Sequence, residues 1–431
     1  MFESQAPEAA STPRAAPADD IDNSAGRVHT LSILAAALVL RLLVLAVVVK
    51  NYPRDWLFSR GLEMGLMAKS IVLGQGLGSP FHGPTGPTAF FAPIYPLFVA
   101  GVFRIFGIYS PASAVAIIVA QIILNLVTIY LITRVALLLF DARTANVAGF
   151  FWAISLPLIW LPTIFWETCL TTSLLIGLIL LAAHCKQYPP ATLWIAMGAY
   201  CGFAGLVNPA LLPSLFAVVL WSWFQTRKAS GLFPILGLFI FAVVFAPWPI
   251  RNARIFHAFV PTRSTFGFEL WMGNHPGSSG YLEEWLFPTF NQKELDDYNA
   301  RGEIAYSANK STLARQYIQS HPGQFIRISS QRFMRFWAGT GSRGGSIFFP
   351  LHALTTTLLS LPALWILFRQ RRFSVLLLFI LPLALFPLPY YITHAEFRFR
   401  IVIDPLLTIL AAFAVPQFLQ HSSKPQPAVH T

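Results

Sequence analysis

The feature that most constrains this chain is a succession of apolar runs, each about as long as a bilayer's hydrocarbon core is thick. They fall at 29–49, 112–133, 145–163, 168–185, 191–207, 210–225, 231–249, 346–368, 373–393 and 401–418. About 20 apolar residues in a helix cross roughly 30 Å of hydrocarbon. Inside lipid every backbone N–H and C=O must be satisfied within the segment, which selects helices. Only 11% of the residues are charged and 55% are hydrophobic, whereas soluble domains carry about a quarter charged. A water-soluble fold is excluded. The expected fold is an all-α polytopic membrane protein with about ten transmembrane helices.

The net charge of +12 does not point to nucleic acid, because Lys and Arg of a membrane protein gather in its cytoplasmic loops and near anionic headgroups. The three cysteines, Cys169, Cys185 and Cys201, lie in or beside apolar runs, which argues against a disulfide framework or a thiolate metal site. No small-residue cleavage site follows the first run, so it reads as an anchor that stays.

The expected organisation is a disordered cytoplasmic tail at 1–28 and a transmembrane core at 29–249 that includes a first outer loop at 50–111. A small, mainly helical extracytoplasmic segment follows at 250–345, then C-terminal transmembrane helices at 346–418 and a cytoplasmic tail at 419–431. Residues 90–108 are ambiguous: apolar, but interrupted by Pro93, Pro96 and Arg104. With that stretch on the membrane surface, Arg134, Arg143, Lys186, Arg227, Lys228, Arg369, Arg371 and Arg372 share the side of the two termini. The positive-inside bias therefore favours a surface helix there, with both termini cytoplasmic. No internal repeat and no paired interruption of spans is visible in the sequence.

Charged side chains at the membrane or its rim are costly and ask for a reason. Glu63 lies in GLEMGLMAKSIVLGQG, an amphipathic stretch after the first span, in which Met64, Leu66, Met67, Ile71 and Val72 can face lipid. Glu167 lies in LPTIFWETCLTT, where one span ends outward and the next begins. The plain alternatives are a solvated carboxylate and a carboxylate favouring a helix N-terminus. Two carboxylates reaching one surface could instead serve as a general base and an orienting or metal-binding group. Asp55, in NYPRDW, is a weaker candidate.

The segment THAEFRFRIVIDP carries His394, Glu396, Arg398 and Arg400, and PWPIRNARIF carries Arg251 and Arg254. Arginines on the less positive face suit either headgroup contact or a lipid-linked phosphate, for which the guanidinium fork is adapted. Arg41, midway along the first span, is expected to face the bundle and pair with a carboxylate. The Gly- and Pro-rich run GQGLGSPFHGPTGPTAFFAPIYP lacks a phosphate-loop context. His82 and His275 are isolated, without metal-ligand spacing.

Four stretches together resemble the polytopic C-type glycosyltransferases, the class of the protein O-mannosyltransferases and aminoarabinose transferases. They are Glu63 with Ala68 and Gly74-Gln75-Gly76, the PTGPTAFFAPIYP run leading to RIFG, Glu167 at a span entrance, and EFRFRIVIDP before the last span. PWPIRNARIFHAFVPTRSTFGFELWMGN is similar to bacterial members of that class. The resemblance implies a bacterial inner-membrane enzyme that moves a sugar from a polyprenyl-phosphate donor to a hydroxyl acceptor on the outer face, with inversion. Glu63 and Glu167 match the two acidic motifs. The class has an Asp-Glu pair in the first loop where this chain has Leu62-Glu63, which leaves Glu63 and Asp55 as alternatives for the base. Arg398, Arg400 and Arg251 are the candidates for the donor phosphate. No cofactor is required and a divalent metal is possible. The competing readings are a transporter or flippase of a lipid-linked glycan, and an inactive membrane scaffold.

Overall fold

The computed structural model describes residues 28–341 and 346–422. The expected tails, residues 1–27 and 423–431, lie outside the described residues. All regular secondary structure among the described residues is helical. Six helices are long and apolar enough to cross a membrane: Thr30–Asn51, Pro111–Leu139, Pro190–Val207, Pro209–Ser230, Phe348–Arg369 and Phe373–Ile392. Two broken pairs, Ala142–Ile154 with Leu156–Thr163 and Phe233–Phe245 with Pro247–Phe256, raise the count to eight. The expected ten is thus too high. The run at 168–185 yields only the helix Thr168–Ala183, about 24 Å long at 1.5 Å per residue. The last run is helical only from Asp404, after a short separate turn at Phe397–Ile401.

Helix ends follow their capping residues. Ser110 accepts from the Ser113 N–H with Pro111 at the first helical position, and Asp141 accepts from the Thr144 N–H at 2.7 Å; both supply acceptors for unpaired amides. The 61° bend after Ile154 has a local cause. Pro157 has no N–H for the Ala153 carbonyl four residues back, which frees that oxygen. Arg41 takes it. Its Nη1 donates to Ala153 O and Ala37 O, each at 3.0 Å, and its Nε donates to Asn125 Oδ1 at 3.0 Å. The expected carboxylate partner of Arg41 is therefore replaced by an amide and by carbonyls released at a helix break. Elsewhere small residues let backbones meet: a Cβ on Gly198 would lie 2.1 Å from Gly237 O, so Pro190–Val207 and Phe233–Phe245 pack as small-residue interfaces do in lipid.

One end of the bundle carries a cap. The helix Leu62–Val72 packs on Ile94–Phe106, whose 13 residues are too few to span. Met64 and Met67 are buried beneath it, not turned to lipid as their spacing suggested. The loop between these helices is held by two charged residues. Arg251 donates to Thr88 O at 2.7 Å and Leu77 O at 2.8 Å. Buried Glu303 accepts from the Thr88 hydroxyl, from the Ala89 N–H and Ser264 Oγ at 2.7 Å, and from the Tyr298 hydroxyl at 2.8 Å. Burial still pushes its carboxyl above the ordinary range, against those four donors.

The helices Phe266–Gly273, Gln292–Arg301, Glu303–Ser320 and Pro322–Ala338 complete the cap. Fully buried Arg332 joins them to the bundle: it donates to Gly273 O, to Asn274 Oδ1 at 3.4 Å and to Ile392 O at 3.2 Å.

Candidate active site

A cavity of about 460 Å³ lies between this cap and the bundle. Residues from 59–63, 157–166, 269–290 and 394–401 converge on it, together with Phe91 and Phe349. Its walls are largely aromatic, with Trp160, Trp166, Phe287 and Phe290 among them. Its polar groups are the carboxylates Glu63, Glu269, Glu284 and Glu396, with Arg60, His394 and Arg398.

Glu63 enters through the first turn of Leu62–Val72. The turn before that helix is strapped to the stretch 157–166: the Phe165 N–H donates to Arg60 O at 3.0 Å. At Gly61 a Cβ would stand 2.2 Å from Phe165 O, so only glycine allows this approach. The two segments carrying Glu63 and Glu167 are thereby fixed against each other. Glu63 is 7% exposed. Burial raises its carboxyl above the ordinary range, and the Arg398 charge offsets part of that rise.

Arg398 is the counter-charge. Its Nε donates to Glu396 Oε2, and its guanidinium lies over Trp166 at 4.1 Å and over Phe399 at 4.7 Å. No other hydrogen bond of Arg398 to protein occurs among the described residues, so both Nη groups keep their donors. Burial pulls the Arg398 guanidinium down, but Glu396, Glu167 and Glu269 more than offset it and hold it above the usual value. Burial likewise pushes Glu396 up, and Arg398 with His394 outweighs it, leaving that carboxyl below the ordinary range. Glu167 is 6% exposed and, unlike Glu63 and its neighbour Trp166, is not among the residues lining the cavity; its Oε1 accepts from Arg263 Nη2 at 3.1 Å and its Oε2 is without a hydrogen-bond partner. His394 Nδ1 lies 3.1 Å from Glu269 Oε2.

The other three expected site residues are elsewhere. Asp55 is on the surface, its side chain 87% exposed and paired to Arg54 at 3.2 Å. Arg251 is occupied by the loop carbonyls described above. Arg400 is fully buried in the bundle, bound to Asp404, Ala353 O at 2.9 Å, Thr356 Oγ1 at 2.8 Å and Thr357 Oγ1 at 2.7 Å. Only Phe399 separates Arg398 from Arg400, and on a short helix the two arginines point to different surroundings. Of the isolated histidines, His82 is exposed and His275 lies buried 3.9 Å from Glu283.

Glu269, Glu284, Arg60 and Arg263 were not singled out from sequence. Glu269 had a signal. No Asp or Glu occurs between Glu167 and Glu269, and Glu269 interrupts the aromatic stretch FGFELW. Among the described residues no three His, Cys, Asp or Glu side chains gather as a metal-ligating group.

No protein-family model and no curated protein matches the chain in sequence. Solved structures share its fold. The oligosaccharyltransferase of Archaeoglobus fulgidus tethered to an acceptor peptide superposes with a TM-score of 0.52 at 13% identity, over 91% of this chain and 50% of that one. The same enzyme in complex with Zn and sulfate gives 0.51 at 12% identity, over 90% and 49%. ArnT from Cupriavidus metallidurans bound to undecaprenyl phosphate gives 0.39 at 12% identity, over 92% and 81%. The chain spans about half the length of the oligosaccharyltransferase structures it matches. The oligosaccharyltransferase is a C-type glycosyltransferase, so the fold expected from the sequence resemblance is the fold found.

Proposed function

We infer that this chain is a membrane glycosyltransferase that moves a sugar from a polyprenyl phosphate to a hydroxyl acceptor, with inversion. The observation that carries the reading is the pairing, in one aromatic-walled cavity, of a buried glutamate with an arginine whose Nη donors are unspent. The acceptor oxygen attacks the anomeric carbon, and the bond from that carbon to the phosphate oxygen breaks. Glu63 takes the hydroxyl proton; burial sets its basicity above an ordinary carboxylate's, which suits a general base near neutral pH. The Nη edge of Arg398 receives the phosphate and neutralises the charge it carries away. Glu167, held by Arg263, sustains the field on Arg398. The aromatic walls offer faces for a sugar ring and for the first isoprene units.

The solved relatives by fold carry a lipid phosphate in one case and an acceptor peptide in another, which agrees with a lipid-linked donor. Zn in one of them raises a divalent ion, but the cavity carboxylates Glu63, Glu269, Glu284 and Glu396 do not gather as a metal-ligating group among the described residues. On this reading the cap is extracytoplasmic and both termini are cytoplasmic. A flippase is the second reading. The two broken spans favour it, since discontinuous helices line transporter sites, and Pro157 and Ile164 of one of them border the cavity.

The test is Glu63→Gln in membranes supplied with a radiolabelled lipid-linked sugar. Transfer should fall by about 10²-fold or more, with the protein's membrane level unchanged. Full transfer in that variant would overturn the assignment. Movement of the lipid across vesicles without loss of its sugar would favour the flippase.

A further inference from the structure

The end of the bundle remote from the cavity carries a second pair of concavities. The helix Thr168–Ala183 begins next to Glu167 at the cavity rim and ends next to Cys185, about 24 Å away by its rise. There a hollow of about 580 Å³ is lined by Lys186, Tyr188, Arg227 and Lys228. Adjoining it, a groove of about 300 Å³ runs along the bundle between Pro190–Val207, Leu212–Ser230 and Phe233–Phe245, lined by Trp194, Met197, Phe216, Leu220, Trp223 and Leu238. Trp194 divides the two: its ring lines the groove, while its Nε1 donates at 3.1 Å to Ser230 Oγ on the floor of the hollow. Leu220, Trp223 and Leu238 are exposed and open the groove toward lipid.

The charge in the hollow is uncompensated. No acidic residue occurs anywhere between Glu167 and Glu269. Among the described residues no ion pair engages Lys186, Arg227 or Lys228, and all three are exposed. Basic pockets between transmembrane helices on the cytoplasmic side suit anionic lipid headgroups, and this one continues directly into an apolar channel.

We propose that this end of the bundle binds an anionic glycerophospholipid. Its phosphate sits among Lys186, Arg227 and Lys228, and an acyl chain lies in the groove beside Trp194 and Trp223. The arrangement is a headgroup site with its own chain slot, which distinguishes it from the basic loop at 369–372, where Arg372 donates to Leu139 O and lies over the Phe140 ring and Arg369 lies over Trp365. It is independent of the reaction at the opposite end.

The experiment is native mass spectrometry of the whole protein in a neutral detergent, titrated with phosphatidylglycerol or phosphatidylcholine of identical chains. Each basic residue near the surface contributes roughly a five-fold gain toward anionic lipid. Phosphatidylglycerol should therefore bind at least about ten-fold more tightly than phosphatidylcholine, and Lys186→Gln/Arg227→Gln/Lys228→Gln should abolish that preference. Arg369→Gln/Arg371→Gln should keep it. Leu220→Trp, which fills the groove from an exposed position, should weaken both lipids, and millimolar inorganic phosphate should displace neither. Equal binding of the two lipids by the parent protein overturns the proposal, whatever the variants do. So does an unchanged preference in a triple variant that melts like the parent. Displacement by free phosphate would reassign the hollow to a soluble anion and overturn it too.

Discussion

The interior of the bundle and the wall of the cavity both bury arginine, and they leave it in different conditions. In the bundle Arg400 bonds Asp404, two threonines and a carbonyl, and Arg41 bonds an asparagine and three carbonyls. In the cavity wall Arg398 bonds one carboxylate through Nε and is otherwise covered by ring faces. Glu167 Oε2 and His394 Nε2 likewise have no hydrogen-bond partner, while His394 Nδ1 faces Glu269 Oε2 at 3.1 Å. A buried polar group without a partner costs free energy, so a wall that gathers several is held open by the surrounding fold for something that binds there. Arg400 Nε also lacks a partner, so the contrast lies in the Nη groups: those of Arg41 and Arg400 are bound within the bundle, while Arg398 is bound through Nε alone.

That contrast can be broken most severely at Arg400. Arg400→Ala leaves buried Asp404 without its arginine, with only His352 Nε2 beside it at 3.2 Å, which should destabilise the protein by about 3–5 kcal/mol. The folded yield in detergent, read by size exclusion and thermal melting, should collapse. Arg400→Met with Asp404→Leu should recover most of the loss, because it removes both charges. If Arg400→Ala folds normally and only donor use suffers, the division between the two arginines is wrong.

Arg398→Ala should do the opposite. The fold should persist while dependence on the lipid-linked donor weakens, by roughly 1.5–3 kcal/mol for one charge-assisted contact. Donor titration against acceptor titration separates this from a general loss: the donor KM should rise and the acceptor KM should hold.

The pair also shows how far sequence alone reaches. The all-helical membrane fold followed from run length and charge, and Glu63 and Arg398 from their positions in short motifs. Which of two arginines in EFRFR faces the cavity depends on the phase of the helix Phe397–Ile401, only five residues long, and no periodicity can be read from that. The span count failed where runs are broken by proline or begin before their helix, since composition windows do not see a chain that turns. Arg41 was assigned a carboxylate because charge suggests charge; the carbonyl freed by Pro157 is a three-dimensional consequence of a residue 116 positions away.

A smaller effect is expected from pH. Glu63 is raised above the ordinary glutamate value of 4.5 by burial, and as a base it works only when ionised. Transfer should therefore fall as pH drops through an inflection above 4.5, and that limb should vanish from the residual rate of Glu63→Gln. The stability linkage runs the other way. A carboxyl whose folded value is raised favours folding below its unfolded value, and that contribution is lost as pH rises through the folded one. Acid should thus cost activity while the Glu63 contribution to stability is retained. A profile flat from pH 4 to 7, or one identical in Glu63→Gln, would remove Glu63 from the proton transfer.

The smallest effect is expected at Asp55, and it decides between the two candidates for the base. Asp55 shares the first loop with Glu63 and stands only eight positions before it, but its side chain is 87% exposed and its partner Arg54 is 54% exposed. Surface ion pairs of this kind are worth at most about 1 kcal/mol and are screened by salt. Asp55→Asn removes the charge and keeps the shape. Transfer rate, donor KM and melting temperature should all stay within about two-fold or a few tenths of a kcal/mol of the parent. The cavity geometry predicts this flat result together with a collapse in Glu63→Gln. A hundred-fold loss in Asp55→Asn would mean that the first loop rearranges when substrate binds, bringing Asp55 inward. The base would then be a residue that the unliganded fold keeps in solvent, and the buried Glu63 would be the positioning residue.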